Sequence, residues 1–327
     1  MISRPSTKTL AAACIALGAC IAVGGAYLRW PLPADTLHMG PAQSTQWTDR
    51  YGALLADQVS AVQTRSEQVS LDAISPHVVL AVLAAEDRRF FHHAGVDPLA
   101  TARAAWQNLV ELRVVGGGST LTQQLARLLS TEQALLAGHR PPARSLAQKL
   151  REARLALRLE ATFSKRMILT AFLNRAPFGN LAVGIEAAAQ RYFGCTSGTL
   201  SVAQAAYLVG LPKGPTQYNP LRHPEAAKAR QHRVLAAMRR REMITAGQLE
   251  RALREPIAVR RRGARSTPMH AIDLARQVIV ASGLPTHGRI RLTLDARLQE
   301  AVADIVTADM PRVYARGGRS AATVVLD

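Results

Sequence analysis

From Leu10 to Leu28 the chain runs nineteen residues without a charge, preceded by Arg4 and Lys8. Coiled as a helix at about 1.5 Å per residue, that run spans roughly 28 Å, close to the ~30 Å hydrocarbon thickness of a bilayer. Whatever follows must therefore fold as a body tethered at, or carried across, a membrane. The run reads as one signal-anchor helix (residues 9–28), with residues 1–8 cytoplasmic and the remainder exported. Arg29, just beyond it, narrows the charge asymmetry that sets orientation. A signal peptide cut near Ala26 and the lipoprotein-like Leu17-Gly18-Ala19-Cys20 compete with this reading. The apolar run continues past Cys20, which disfavours both.

The body has material for a large core, with 327 residues and 48% hydrophobic content overall. Cys14 and Cys20 fall in the apolar run, which leaves Cys195 alone, so no intrachain disulfide and no Cys/His metal cluster is expected. The net charge is +18, from 41 Lys and Arg against 23 Asp and Glu. Such an excess suggests nucleic acid, but behind a membrane segment it points instead to anionic lipid and pyrophosphate-bearing substrates. Part of it is local, in Arg260-Arg261-Arg262-Gly263-Ala264-Arg265, which reads as a solvated linker.

Ser44 to Leu55 carries a strand–turn pattern around Asp49-Arg50-Tyr51-Gly52. Ser75-Pro76 opens a helix, with Ser as N-cap and Pro in the first turn. Val79, Val82, Leu83 and Phe90 recur at helical spacing and form its core stripe. Glu86 falls on that stripe, about one turn after Val82 and Leu83. A glutamate among apolar neighbours needs a reason, because its charge is poorly solvated there. Such a carboxylate takes up a proton readily, as a general base must; an ion pair to Arg88 or Arg89 is the purely structural alternative. Asp87 is expected either to orient the site by pairing with an arginine or to do chemistry, His93 to be a structural hydrogen bonder, and His92 to be exposed.

A second stretch reads Gly116-Gly117-Gly118-Ser119-Thr120-Leu121-Thr122-Gln123-Gln124. Glycines admit backbone conformations closed to other residues, and Thr120 with Gln123 fits a capping box opening a helix. The free N–H groups there suit an anion or sugar hydroxyls. Thr120, Gln123, Gln124 and Arg127 fall on adjoining strips of that helix. Leu99, Ala102, Ala105, Trp106, Leu109 and Val110 make an apolar stretch suited to a core or to a membrane interface. Lys149 and Glu152 share a helix face at i and i+3, where a surface ion pair is the plain reading. Glu186 is expected at an exposed helix position, and Arg230 to Met238 forms a basic amphipathic helix.

Glu86-Asp87-Arg88-Arg89-Phe90-Phe91-His92-His93 and the glycine segment resemble two signature segments of the peptidoglycan glycosyltransferases, glycosyltransferase family 51. These are the polymerase domains of class A penicillin-binding proteins. Gln148-Lys149-Leu150-Arg151-Glu152 is similar to the family's Arg-Lys-x-x-Glu, with Gln148 in place of the arginine. Lys165 to Asn174 resembles its Lys-x-x-Ile-Leu-x-x-Tyr/Phe-Leu-Asn, and Gly184 to Gly194 follows as the fifth segment. Ala176-Pro177-Phe178-Gly179 looks like the penicillin-binding protein 1C subgroup.

The resemblance implies a mainly α fold: a lysozyme-like lobe with a small membrane-facing jaw, preceded by one transmembrane helix. It sets the glycosyltransferase domain at 44–245, a basic linker at 246–290, and the start of a linker into a transpeptidase region at 291–327. Ser-x-x-Lys, Ser-x-Asn and Lys-Thr/Ser-Gly are missing from the sequence, so penicillin binding is not expected. The implied reaction lengthens glycan strands from lipid II with inversion and release of undecaprenyl pyrophosphate. Glu86 would be the base, with Ser119, Thr120, Gln123, Gln124 and Arg127 around the donor. Lys149, Arg127 and Lys165 would neutralise pyrophosphate. Glu152 would hold those cations or a divalent metal (Mg or Mn), and Asp87, His93 and Asn174 complete the set. Gln148 removes one cation, which Arg144, Arg151 or Arg154 would have to replace. Implied partners are lipid II, the growing glycan strand, inner-membrane lipids and other cell-wall synthesis proteins, not nucleic acid. The implied location is the bacterial inner (cytoplasmic) membrane, single-pass, with the catalytic side periplasmic. Two other readings compete: a non-catalytic remnant acting as a scaffold, and a lysozyme-like muramidase.

Overall fold

The computed structural model describes residues 24, 25, 27, 30–37, 45–58, 65–111, 118–260, 269–284, 288–320 and 323. Apart from its last turn, the expected anchor lies outside these, as do Gly116, Gly117, Arg261 to Arg265 and, except for Thr323, the strand expected over 321–327. Among the described residues no helix is long and apolar enough to cross a membrane.

The main lobe is helical: α1 (Pro76–Ala85), α2 (Pro98–Val110), α3 (Leu121–Leu136), α4 (Leu146–Thr162), α5 (Lys165–Arg175), α6 (Ile185–Tyr192), α7 (Val202–Gly210), α8 (Pro224–Arg240) and α9 (Ala246–Arg254). Helix α1 is apolar nearly all round, with Val78, Ala81, Val82, Leu83 and Ala84 buried, as befits a helix enclosed by others. It packs against α7 and α8, while α3 packs against α4 and α5. Both groups share one core, which includes Phe90, Leu121, Leu125, Leu159, Leu173 and Leu208. Pro76 starts α1 as expected, but the Ser75 hydroxyl donates to the Leu200 carbonyl (2.9 Å) instead of capping the helix. Between α3 and α5 lies a buried ion pair, Glu132 to Arg175 (3.2 Å), and Arg175 also donates to the Leu37 carbonyl (3.0 Å). Burial pushes the Glu132 carboxyl above its ordinary range despite the attraction of Arg175, and pulls the Arg175 guanidinium below its own.

Among the described residues six strands form two small sheets: β1 (Thr45–Thr48), β2 (Leu54–Gln58), β3 (Arg65–Ser66), β4 (Pro177–Gly179), β5 (Ala182–Val183) and β6 (Gly288–Arg291), in the orders β2-β1-β6 and β3-β5-β4. The β1–β2 hairpin forms where the strand–turn pattern places it, antiparallel, with Asp49 closing the turn by accepting from the Tyr51 and Ala53 amides. The C-terminal part carries regular structure of its own. The stretch expected as a basic linker (246–290) contains α9, which buries Ala252 in the main core, and α10 (Met269–Ala281). Strand β6 pairs in parallel with β1, and Trp47, Ala56 and Ile272 make a second core between that sheet and α10. The Ala296 amide, at the start of α11 (Ala296–Ala315), donates to Asp49 (3.0 Å).

Candidate active site

Glu86 caps the C-terminus of α1, where the core helix gives way to a tight turn. Its carboxylate is held from two sides. Oε2 accepts from Gln124 Nε2 of α3 (3.1 Å) and Oε1 from Arg230 Nη2 of α8 (3.2 Å). The side chain stays 16% exposed, so the carboxylate is fixed but reachable. The structural alternative, an ion pair to Arg88 or Arg89, is not made: Arg88 is exposed, and Arg89 pairs with Asp97 (3.4 Å), the N-cap of α2.

Asp87 is buried and accepts twice at Oδ2, from His93 Nε2 (3.0 Å) and from the Leu121 amide at the start of α3 (2.9 Å). Because the Gly95 amide donates to His93 Nδ1 (3.2 Å), the ring proton sits on Nε2 and points at Asp87. The arginine expected for Asp87 is replaced by this histidine and a helix N-terminus. Asp87 thereby fixes the end of α1 against the start of α3, and with it the spacing between Glu86 and Gln124. Thr120 and Gln123 form the expected capping box, and the Thr120 hydroxyl also donates to the Gly95 carbonyl (2.5 Å). Gly118 brings the backbone so close to α2 that a Cβ there would lie 2.7 Å from Thr101 Cα.

Several residues expected in the substrate site also brace the fold. Besides Asp87, His93, Thr120 and Gln123, Asn174 has its amide committed to the Val69 backbone, donating to the carbonyl (2.9 Å) and accepting from the N–H (3.1 Å). Lys165 is also engaged: its ammonium donates to Glu160 (2.7 Å) and the His93 carbonyl (2.6 Å), and lies 4.4 Å from the Phe90 ring centre. Glu160 in turn accepts from Thr122 (2.6 Å). Ser119 and Arg127 are half-buried, Lys149 is exposed, and none of the three has a polar side-chain partner among the described residues.

Lys149 and Glu152 do not pair. Glu152 accepts from the amide of Gln148 (3.3 Å), and the buried Gln148 accepts from Arg151 through its Oε1 (3.0 Å). The neutral side chain at the family's arginine position therefore recruits Arg151 beside Glu152. Arg154 turns to the Tyr27 ring instead. Among the described residues no group of three or more His, Cys, Asp or Glu is placed to hold a metal ion. Glu186, expected to be exposed, is buried and accepts from the Ser197 amide (2.8 Å) and from Gln190 (2.9 Å). The apolar residues Leu99, Trp106, Leu109 and Val110 of α2 are more than 60% exposed, which rules them out of the core.

Residues 52–239 match the family model described as Transglycosylase. The chain belongs to the Transglycosylase family. It carries the peptidoglycan glycosyltransferase domain found in class A penicillin-binding proteins. Penicillin-binding protein 1C of Escherichia coli (strain K12) is 37% identical over 319 residues, 98% of this chain and 38% of that protein. Penicillin-binding protein 1A of Aquifex aeolicus (strain VF5) is 36% identical over 291 residues, 88% of this chain and 38% of that one. The chain thus spans well under half the length of these relatives. The crystal structure of penicillin-binding protein 1A from Haemophilus influenzae aligns with 78% of this chain and 28% of its own at a TM-score of 0.40 and 19% identity, too loosely to carry an argument.

The residue that sequence reasoning missed in this transglycosylase domain is Arg230. It is buried in α8 with Ala227, Val234 and Leu235, and its Nε donates to the Gly210 carbonyl (3.4 Å). The signal was available: Arg230 lies three residues after Ala227 and four before Val234, on the apolar stripe. That is the argument that singled out Glu86.

Proposed function

We propose that the domain lengthens glycan strands from lipid II at a membrane surface, with Glu86 as general base. The observation that carries the reading is the grip on Glu86. Gln124 and Arg230 approach different oxygens and leave the carboxylate aimed and partly open. In this reaction Glu86 takes the proton from the 4-hydroxyl of the acceptor GlcNAc as that oxygen forms a bond to C1 of the donor MurNAc. The bond from C1 to the α-linked undecaprenyl pyrophosphate breaks, and inversion gives a β-1,4 linkage. Arg127, Lys149 and Arg151 are the cations left to meet the leaving pyrophosphate, since Lys165 is engaged by Glu160. A divalent cation (Mg or Mn) would find a single carboxylate at Glu152, so substrate phosphate would have to supply most of its ligands. General-base positioning contributes about 10²–10⁴ in rate.

The anchored, inner-membrane location with a lysozyme-like lobe and membrane-facing jaw belongs to the same proposal. It is supported by the uncharged run from Leu10 to Leu28 and by the exposed Leu99, Trp106, Leu109 and Val110 of α2. Labelled lipid II, incubated with the detergent-purified chain and resolved by product length, tests the reading. Lengthened glycan supports it, shortening of preformed glycan supports a muramidase, and no product from a folded sample supports a scaffold.

A further inference from the structure

Arg154, Arg158 and Thr162 stand one turn apart along a single stripe of α4, and in turn they hold Tyr27, Trp30 with Pro31, and Leu32. The Arg154 guanidinium lies 4.1 Å from the Tyr27 ring centre. Arg158 donates from Nε to the Trp30 carbonyl (2.7 Å) and from Nη2 to the Pro31 carbonyl (3.3 Å). Thr162 Oγ1 accepts from the Leu32 amide (2.9 Å) and donates to the Arg158 carbonyl (2.9 Å), which locks the hydroxyl in place. Leu32 packs on the main core. Residue numbers rise together along the segment and the helix, so the two run parallel. The N-terminal half of α4, ahead of Arg154, carries Gln148, Lys149, Arg151 and Glu152. On that side Leu150 and Leu146 continue the stripe, 64% and 75% exposed.

We propose that Arg154, Arg158 and Thr162 form a latch that clamps Tyr27 and residues 30–32 to α4 and fixes the site-bearing end of that helix relative to the apolar run before Tyr27. The inference rests on the reading of that run as membrane-embedded. A lobe on a loose tether would present its site at varying heights above the lipid surface. A latched lobe meets a lipid-borne substrate at one height. The latch matters for substrate held in a bilayer and not for substrate dispersed in detergent, which reaches the site from any direction.

The test compares the full wild-type chain with Arg154→Ala/Arg158→Ala and with Thr162→Val, an isosteric change that removes the acceptor for Leu32 and the bond to the Arg158 carbonyl within α4. Amide hydrogen exchange over residues 27–37 should quicken by roughly tenfold or more in the double variant, from the lost charge-assisted hydrogen bonds, and by less in Thr162→Val. Glycan synthesis should stay within about twofold of wild type with lipid II in detergent. It should fall about tenfold with lipid II embedded in phosphatidylglycerol–phosphatidylethanolamine vesicles. Unchanged exchange overturns the latch. Faster exchange with equal rates in both media overturns its function, as does an equal fall in both, which would show that the arginines act through the folding of α4. A wild-type chain that makes no polymer refutes the functional reading alone, and the exchange data then decide the latch.

Discussion

Replacing Gly210 with alanine should slow glycan synthesis, although Gly210 touches no substrate. A Cβ there would lie 2.8 Å from Cγ of Arg230, near the root of the side chain where it cannot swing aside freely. Ordinary contact needs about 3.6 Å, so the arginine must withdraw by roughly 0.8 Å. The 3.2 Å bond from Arg230 to Glu86 then stretches to about 4 Å and is lost as a hydrogen bond. Loss of an interaction of this type costs about 1.5–3 kcal/mol when complete. Because Gln124 still holds the other oxygen, the rate should fall about 5- to 30-fold, or 1–2 kcal/mol in the barrier. The fold should weaken little: overpacking costs about 1–3 kcal/mol, offset by about 1 kcal/mol of better helix propensity at the end of α7. Initial rates with lipid II and urea midpoints, measured on Gly210→Ala, Arg230→Ala and the double variant, separate the two effects. Since the clash is with Arg230 itself, the double variant should be no slower than Arg230→Ala. Additive losses, or a Gly210→Ala enzyme at wild-type rate, would refute the reasoning.

Three further outcomes follow from the geometry. Arg151→Gln should slow synthesis about 10²-fold by removing a cation from the leaving pyrophosphate, and adding Gln148→Arg should restore most of it; an unchanged Arg151→Gln rate removes Arg151 from the site. Asp87→Ala strands the Leu121 amide and His93 Nε2 in the interior, which should lower unfolding free energy by about 1–3 kcal/mol per stranded group and slow catalysis as Glu86 and Gln124 drift apart; denaturant unfolding of the variant checks the stability part. Burial raises the Glu132 carboxyl, so the folded chain keeps a proton that the unfolded chain has released. That stability is present below the ordinary value of 4.5 and is lost as pH rises through the raised value. The slope is at most about 1.4 kcal/mol per pH unit for one proton, and Glu132→Gln should flatten the curve above pH 4.5.

Local sequence rules reached some parts of the structure and not others. The opening of α1 at Ser75-Pro76, the Thr120–Gln123 capping box and the β1–β2 turn were legible because each depends on neighbours within four residues. Glu86 was legible because an apolar stripe makes a carboxylate conspicuous. Arg230 carried the same signal and was obscured by the basic residues around it, which read as a solvated face. The partners of Asp87 and Asn174 were not legible, because they lie at Leu121 and Val69, across contacts that no spacing rule reports. The union of β1 with β6 joins residues more than two hundred positions apart, a pairing that no local pattern reports. Glu186 lay on a helix that reads as half polar, and its burial follows from Ser197 and Gln190 meeting it in space.

The most direct test of the central claim is Glu86→Gln in the full chain, with labelled lipid II and product length as the readout. The glutamine keeps the size of the side chain but cannot accept the acceptor hydroxyl's proton. The account predicts that the folded variant extends glycan at least about 10²-fold more slowly than wild type. A folded Glu86→Gln chain that polymerises at the wild-type rate would contradict it.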